Sequence, residues 1–208
     1  MTTLATMTQT AETQAAITPD QAVQMLKDGN ARFLSGATIE RALDQQVQET
    51  ASGQYPFAVL LGCIDSRVPV ETIFDKGIGD IFTARVAGNI VNEDLLGSME
   101  FACKLAGSKA VVVMGHTACG AVKGAIGKAR MGNLTRLVQK IEPVVDEVAE
   151  RMDREDPAFV DAVAEANVNL TVEAIREKSK VLAEMEAAGE IAIVGAMYDV
   201  ASGQVRFL

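Results

Sequence analysis

Four short apolar runs divide the chain at wide intervals. They cover residues 57–61, 81–86, 110–114 and 191–197. The first run is continuously apolar instead of alternating with polar residues, and the other three are similar, which is typical of strands buried on both faces of a parallel sheet. The pattern therefore predicts strands in a sheet that is covered on both sides.

Helical periodicity occupies the segments between these runs. The sequence TPDQ at residues 18–21 supplies an N-cap, a proline at the first helical position and a capping-box glutamine, and predicts a helix to about Gly36. Further helices are predicted over residues 70–74, 94–106, 120–129, 134–152 and 158–187. The alternation of strands and helices predicts an α/β fold with a mostly parallel central sheet flanked by helices.

The two ends of the chain differ from this alternating pattern. Residues 1–17 show no periodicity, and we expect a flexible N-terminal arm ahead of a single α/β domain over residues 18–208, which begins with the helix at residue 18. The sequence DVASG at residues 199–203 predicts a turn that returns the chain as a short strand over residues 204–208. The expected fold thus has an N-terminal helical arm and a C-terminal β-hairpin.

Composition and charge exclude several classes of protein. The 208 residues carry 19 Lys and Arg against 28 Asp and Glu, so the net charge is −9. An electrostatic footprint for nucleic acid or an anionic membrane is missing. No apolar stretch approaches the ~18 residues of a membrane helix, and the chain begins with no signal-peptide pattern. We expect a cytoplasmic protein with neither nucleic-acid nor membrane partners.

Three cysteines, Cys63, Cys103 and Cys119, are too few for a disulfide scaffold and cannot all pair. In a reducing compartment such cysteines serve as metal ligands, as nucleophiles or as core residues. Cys103 lies in a predicted helix, MEFACKLAG, and is interpreted as a buried structural thiol.

Side chains that could bind a metal or take part in catalysis follow two of the predicted strands. His116, the single histidine, stands three residues before Cys119 in GHTACG, directly after the third strand. Cys63 and Asp65 follow the first strand in CIDSR. Because the carboxyl ends of parallel strands meet at one edge of a sheet, we expect two thiolates, an imidazole and a carboxylate to converge there.

Zinc accepts this mixture of ligands in tetrahedral geometry, whereas sulfur ligands disfavour magnesium, calcium and manganese. The plain alternative is a pair of buried free cysteines beside a core histidine. The segment is not a cysteine-phosphatase loop, because Pro69 occupies the position at which such a loop requires an arginine. A Cys-His-Asp hydrolase would not require a second cysteine three residues after its base. Nucleotide-binding glycine motifs occur only as weak partial matches.

The combination of CIDSRVP with GHTACG resembles the β-class carbonic anhydrases, and the similarity extends over nearly the whole chain. The resemblance implies zinc-dependent reversible hydration of CO2 to bicarbonate and a proton, by attack of zinc-bound hydroxide on CO2. It implies one Zn²⁺ per subunit with Cys63, His116 and Cys119 as permanent ligands. Asp65 is then either the fourth ligand or a partner of Arg67.

The resemblance also implies a substrate pocket and an oligomer. Gln54 would lie beside the bicarbonate, and the rest of the pocket would comprise Phe82, Ala87, Phe101 and the backbone at Gly120. Subunits would pair as a homodimer or homotetramer, with pocket residues supplied across the interface. Ile64 and Phe101 depart from the serine and tyrosine of many relatives. The chain has no tryptophan, so the allosteric bicarbonate pocket of one branch is not expected in the same form.

Charge predicts how such a centre would behave. Two thiolates cancel the charge of the metal, so the pKa of a bound water should be higher than the ~7 of a three-histidine site. The rate of hydration should therefore climb at alkaline pH. Asp65 on the metal would shut the site, whereas Asp65 held by Arg67 would open it and leave a carboxylate that accepts a proton.

Two alternative functions remain open at this point. One is hydrolysis of carbonyl sulfide or carbon disulfide on the same fold. The other is a noncatalytic zinc-binding paralogue in which Asp65 never leaves the metal.

Overall fold

The protein is built around one mixed sheet. The computed structural model describes residues 8–208, and within them the strands are β1 (Ala58–Gly62), β2 (Ile81–Arg85), β3 (Ala110–His116), β4 (Ala192–Tyr198) and β5 (Val205–Phe207). Their order is β2-β1-β3-β4-β5. The first four are parallel and β5 is antiparallel to β4. The predicted parallel α/β sheet with its C-terminal hairpin is confirmed.

Helices cover both faces of this sheet. In the described part of the chain they are α1 (Ala11–Ala16), α2 (Pro19–Ser35), α3 (Leu43–Thr50), α4 (Val70–Ile73), α5 (Glu93–Glu100), α6 (Gly120–Ile126), α7 (Gly132–Val138), α8 (Glu142–Ala149), α9 (Phe159–Lys178) and α10 (Lys180–Ala187). Helices α2 and α4 pack on one face, and α5 to α10 pack on the other. No helix within residues 8–208 has both the length and the apolar composition for crossing a bilayer.

Burial on both faces explains the continuous apolar runs. All five residues of β1 and all seven of β3 are buried. Successive strand side chains point to opposite faces, so Val59 and Leu61 enter one core while Leu60 enters the other. Neither face of the central strands contacts water. Polar residues at alternate positions would therefore be buried, and the sequence does not place them there.

Several predicted helices are shorter than the periodicity indicated. The segment 134–152 is broken before α8, which begins at Glu142 with Pro143 in its first turn. The segment 158–187 is broken at Ser179, whose hydroxyl accepts a bond from Leu182 N and caps α10. The segment 94–106 ends as a π-helical turn, Phe101–Leu105.

The N-terminal segment differs from a wholly flexible arm. Residues 1–7 lie outside the described part, but Ala11–Ala16 form α1, capped by Thr10. Gln14 is buried, and its amide donates to the carbonyls of Pro56 (2.7 Å) and Ala106 (2.8 Å). This helix is therefore docked on the body of the same chain.

Helix α9 packs closely on β3 and β4 because glycines face it. A Cβ at Gly115 would lie 2.6 Å from Val168 Cγ2, and a Cβ at Gly195 would lie 2.8 Å from Val168 Cγ1. Both distances are far below ordinary carbon contacts. The close approach brings α9 within reach of the loops that follow β2 and β3.

Candidate metal centre

The ends of two adjacent parallel strands carry the centre. Cys63 directly follows β1, and His116 is the last residue of β3. Gly62 is in register with Met114, so the two ends meet at the same edge of the sheet. Cys119 then occupies the position directly before α6. Two segments 53 residues apart in sequence thereby meet, as the strand pattern predicted.

Three candidate ligands form one compact, buried group. The Sγ atoms of Cys63 and Cys119 and a ring nitrogen of His116 all lie within 4.8 Å of one another. The exposed fractions of these residues are 3%, 1% and 0%. Both cysteines are free thiols. Two sulfurs and one imidazole nitrogen at this spacing match the ligand chemistry of a zinc site.

The hydrogen bonding of His116 leaves one nitrogen available. Nδ1 lies 2.9 Å from the carbonyl of Thr117, and because a carbonyl only accepts, Nδ1 carries the proton. Nε2 then holds a lone pair. It is buried and has no hydrogen-bond partner among the described residues. A buried lone pair of this kind is suited to bind a cation.

The two thiols influence each other's ionisation. The hydrogen bond from Cys119 lowers the pKa of Cys63 to about 4, against the opposing effect of burial. The same bond, together with burial, raises the pKa of Cys119 well above its usual range. One proton therefore leaves the pair easily while the second is retained. A divalent cation would favour loss of both, since two thiolates neutralise its charge.

Asp65 stands next to this group and is held by Arg67. Its Oδ1 accepts bonds from Arg67 N and Nε, both at 2.9 Å, and its Oδ2 accepts one from Nη2 at 2.7 Å. Oδ2 also lies 3.9 Å from His116 Nε2. The bond from Arg67 holds the pKa of Asp65 well below its usual range, so the carboxylate is ionised.

Arg85 supports the loop that carries Cys63 and Asp65, and the sequence analysis did not identify it. Its Nε donates to the Cys63 carbonyl (2.8 Å) and its Nη2 to the Asp65 carbonyl (2.6 Å). Arg85 ends β2 in register with Gly62. Its position at the end of a strand beside β1 was a signal that could have revealed it.

Helix α9 supplies two further supports that sequence reasoning missed. Asp161 Oδ1 accepts a bond from the Ala118 N–H at 2.8 Å, which holds Ala118 at a φ of 55° between His116 and Cys119. Asn167 Nδ2 donates to the carbonyl of Gly88 at 2.8 Å. Both lie more than 40 residues beyond the last ligand in the chain, and no local motif marks them.

The predicted pocket residues fall into two groups. Ala87 adjoins Gly88, whose N–H reaches Cys63 Sγ at 3.4 Å, and Gly120 follows Cys119 as the first residue of α6. These two lie beside the candidate ligand group.

Phe82, Phe101 and Gln54 lie elsewhere in the same chain. The two phenyl rings meet edge to face at 6.2 Å and line a cavity of about 740 Å³ to which none of the three ligands contributes. Gln54 precedes β1, at the opposite edge of the sheet from Cys63. The fold of this chain does not bring these three residues to its own candidate ligand group.

Known proteins resemble the chain in sequence. A sequence model of the family described as carbonic anhydrase matches residues 58–205. A carbonic anhydrase of Mycolicibacterium smegmatis is 37% identical over 197 residues, which cover 90% of this chain and 92% of the relative. Carbonic anhydrase 2 of Mycobacterium tuberculosis is 36% identical over 89% of this chain and 91% of its own length.

Solved structures show the same likeness. The β-carbonic anhydrase CafA of Aspergillus fumigatus superposes with a TM-score of 0.72 at 31% identity, covering 91% of this chain and 89% of that one. One of the two tetrameric β-carbonic anhydrases from Sordaria macrospora has a TM-score of 0.72 at 26% identity, with 79% and 90% covered.

Proposed function

The chain belongs to the β-class carbonic anhydrase family, whose general reaction is CO2 hydration, and we propose that it interconverts CO2 and bicarbonate with one Zn²⁺ per subunit. One observation carries this proposal. Two thiols and an imidazole nitrogen, all buried, lie within 4.8 Å of one another. Cys63, His116 and Cys119 would hold the metal, and zinc suits two sulfurs and one nitrogen.

When bound, zinc would lower the pKa of a coordinated water and so provide the nucleophile for CO2. Arg67 holds the Asp65 carboxylate through both oxygens, which would keep it off the metal and free to accept a proton at Oδ2. The alternative position of Asp65, as fourth ligand, would close the site to water. We therefore propose that the Asp65–Arg67 pair keeps the fourth metal position open and takes part in the first proton transfer.

Substrate would bind between subunits. We propose that the Gly120 N–H and Ala87 face bicarbonate in their own subunit, while Gln54, Phe82 and Phe101 serve the site of a neighbour. Five strand residues at ~3.3 Å each separate the edge near Gln54 from Cys63, which is too far for contact within one chain. A homodimer or homotetramer follows from this proposal.

Three buried, free cysteines favour a reducing compartment such as the cytoplasm. We also propose that residues 18–208 act as one domain, since α2 packs on the sheet that carries the centre.

Metal analysis combined with stopped-flow CO2 hydration across pH tests the function. We expect one zinc per chain and a rate that climbs towards alkaline pH. Cys119→Ser should lose both zinc and activity, whereas the matched variant Cys103→Ser should retain both, because Cys103 is buried outside the ligand group.

Parallel assays separate the alternatives. Faster turnover of carbonyl sulfide or carbon disulfide than of CO2 would support the hydrolase function. A zinc-replete chain that does not hydrate CO2 even at alkaline pH would overturn the proposal and leave a noncatalytic zinc protein.

A further inference from the structure

A backbone amide touches one of the candidate ligands. The Gly88 N–H donates to Cys63 Sγ at 3.4 Å, and both residues are buried. Hydrogen bonds of this kind withdraw electron density from a thiolate and so tune the metal that it binds. The position of the Gly88 peptide therefore bears directly on the sulfur.

The backbone at this point adopts an unusual conformation. Gly88 has a φ of 69° and Asn89 a φ of 42°, both in the left-handed region. A Cβ at residue 88 would lie 2.6 Å from Ile141 Cδ1 and 3.1 Å from Ala121 Cβ, so only glycine fits. Because glycine is free to adopt many other conformations, a further contact is required to select this one.

Asn167 supplies that contact from α9. Its Nδ2 donates to the Gly88 carbonyl at 2.8 Å, and its exposed fraction is 1%. Gly88 is thus bonded at both ends, to Cys63 through its N–H and to Asn167 through its carbonyl. An apolar side chain at residue 167 would leave a buried carbonyl unpaired, which the segment would relieve by rotating.

We infer that Asn167 is a positioning residue of the metal centre, which acts through Gly88 on the sulfur of Cys63 and so sets the strength of metal binding and the electron donation of the thiolate. This inference rests on the proposed function. It concerns a residue that touches neither metal nor substrate, and its effect is measurable without turnover.

Asn167→Leu tests the inference by removing the donor while keeping the number of side-chain heavy atoms and the branching at Cγ. We expect zinc affinity, measured by competition with a chromophoric chelator, to fall about tenfold. In the Co²⁺-substituted protein we expect the thiolate-to-metal charge-transfer band to move to lower energy, because loss of the N–H···S bond raises the energy of the sulfur lone pairs.

Thr171→Val is the matched control, since Thr171 lies one turn further along α9 and is 3% exposed. It should change neither zinc affinity nor the cobalt spectrum. If Asn167→Leu does not fold, Asn167→Ser takes its place, and we expect a smaller loss of affinity with the same direction of spectral shift.

The two proposals fail in distinguishable ways. If the unmodified chain binds no zinc, the proposed function is wrong. If the unmodified chain binds zinc and a folded Asn167 variant shows the same affinity and the same cobalt spectrum, only the positioning role is overturned, even if its thermal midpoint falls.

Discussion

At His116 a single backbone bond decides which ring nitrogen stays free. The Thr117 carbonyl occupies Nδ1, and Nε2 is left facing the thiols. The sequence predicted the histidine as a ligand from its place at a strand end. It did not predict the tautomer, because that depends on a turn in which Ala118 takes a φ of 55°, and alanine does not signal this conformation.

Arg67 offers a prediction at the same scale. Arg67→Ala should lower CO2 hydration ~100-fold, the usual size of a lost acid–base contribution, while zinc stays bound. Without the guanidinium, nothing in the described structure holds Asp65 through both of its oxygens, and the carboxylate is free to occupy the fourth position on the metal. Stopped-flow rates and metal content measure the two effects.

Arg130→Ala serves as the control for that experiment. Arg130 forms a comparable exposed ion pair with Glu142 at 2.8 Å. Its loss should leave the rate unchanged. An active Arg67→Ala enzyme would remove the Asp65–Arg67 pair from the proposed mechanism.

Among the elements, strands were easier to predict than helices. The four apolar runs lie within two residues of β1 to β4. Burial on both faces explains the pattern in β1 and β3, whereas β2, at the edge of the sheet, is only partly buried. Helix α3 was missed since its sequence, LDQQVQET, has little apolar periodicity. Ser179 and Pro143 were available as signals of helix breaks. Good helix formers surround Ser179 and obscure the break there, and apolar residues continue at helical spacing beyond Pro143.

Asp75 follows α4 and connects it to α2 and to the loop between α2 and α3, and it offers a prediction for these elements. It accepts bonds from Arg32 Nε and Arg41 Nη1, both at 2.5 Å. Burial alone would raise the pKa of Asp75, but the guanidinium groups of Arg41 and Arg32 outweigh burial and hold the pKa below its usual range.

Asp75→Asn should therefore destabilise the metal-free chain by about 2 kcal/mol at neutral pH, less than a fully buried pair because Arg32 keeps partial exposure. A carboxyl whose pKa is lower in the folded state stabilises above its unfolded pKa of ~3.9, and the contribution is lost as pH falls through the folded value. The difference between variant and parent should thus shrink in acid.

Urea unfolding at matched protein concentration and several pH values measures this difference. Asp146→Asn is the control, since Asp146 is 73% exposed and its pair with Arg154 should contribute well under ~1 kcal/mol. A constant difference between Asp75→Asn and the parent from neutral to acid pH would contradict the interpretation.

For the whole molecule, the count of histidines limits how protons leave. The sequence contains one histidine, and His116 belongs to the candidate ligand group. No other imidazole is available to carry a proton from the buried centre to solvent. Protons must pass through water, carboxylates or buffer.

Turnover should consequently rise with buffer concentration until another step limits it. Stopped-flow hydration at fixed pH and ionic strength, with buffer as the only variable, tests this expectation. As a control, the CO2–bicarbonate exchange rate at chemical equilibrium should not depend on buffer. A turnover number that stays constant at low buffer would show that proton export is not limiting.

The sequence predicted that Cys63, His116 and Cys119 converge because both segments follow strands that lie side by side. It did not predict Asp161 or Asn167, because their contacts depend on where α9 packs after the chain has crossed the sheet. Local patterns report on burial and on turns. They do not report which distant helix will lie beneath a given loop.

Gly115 and Gly195 determine the distance between α9 and the sheet, since Val168 packs against both. A methyl group at either glycine would lift the helix and carry Asp161 and Asn167 away from the two halves of the centre together. Substitution of these glycines in β3 and β4 would then weaken the retention of the metal. A screen for loss of zinc should therefore recover small-residue positions that no inspection of the ligands would suggest.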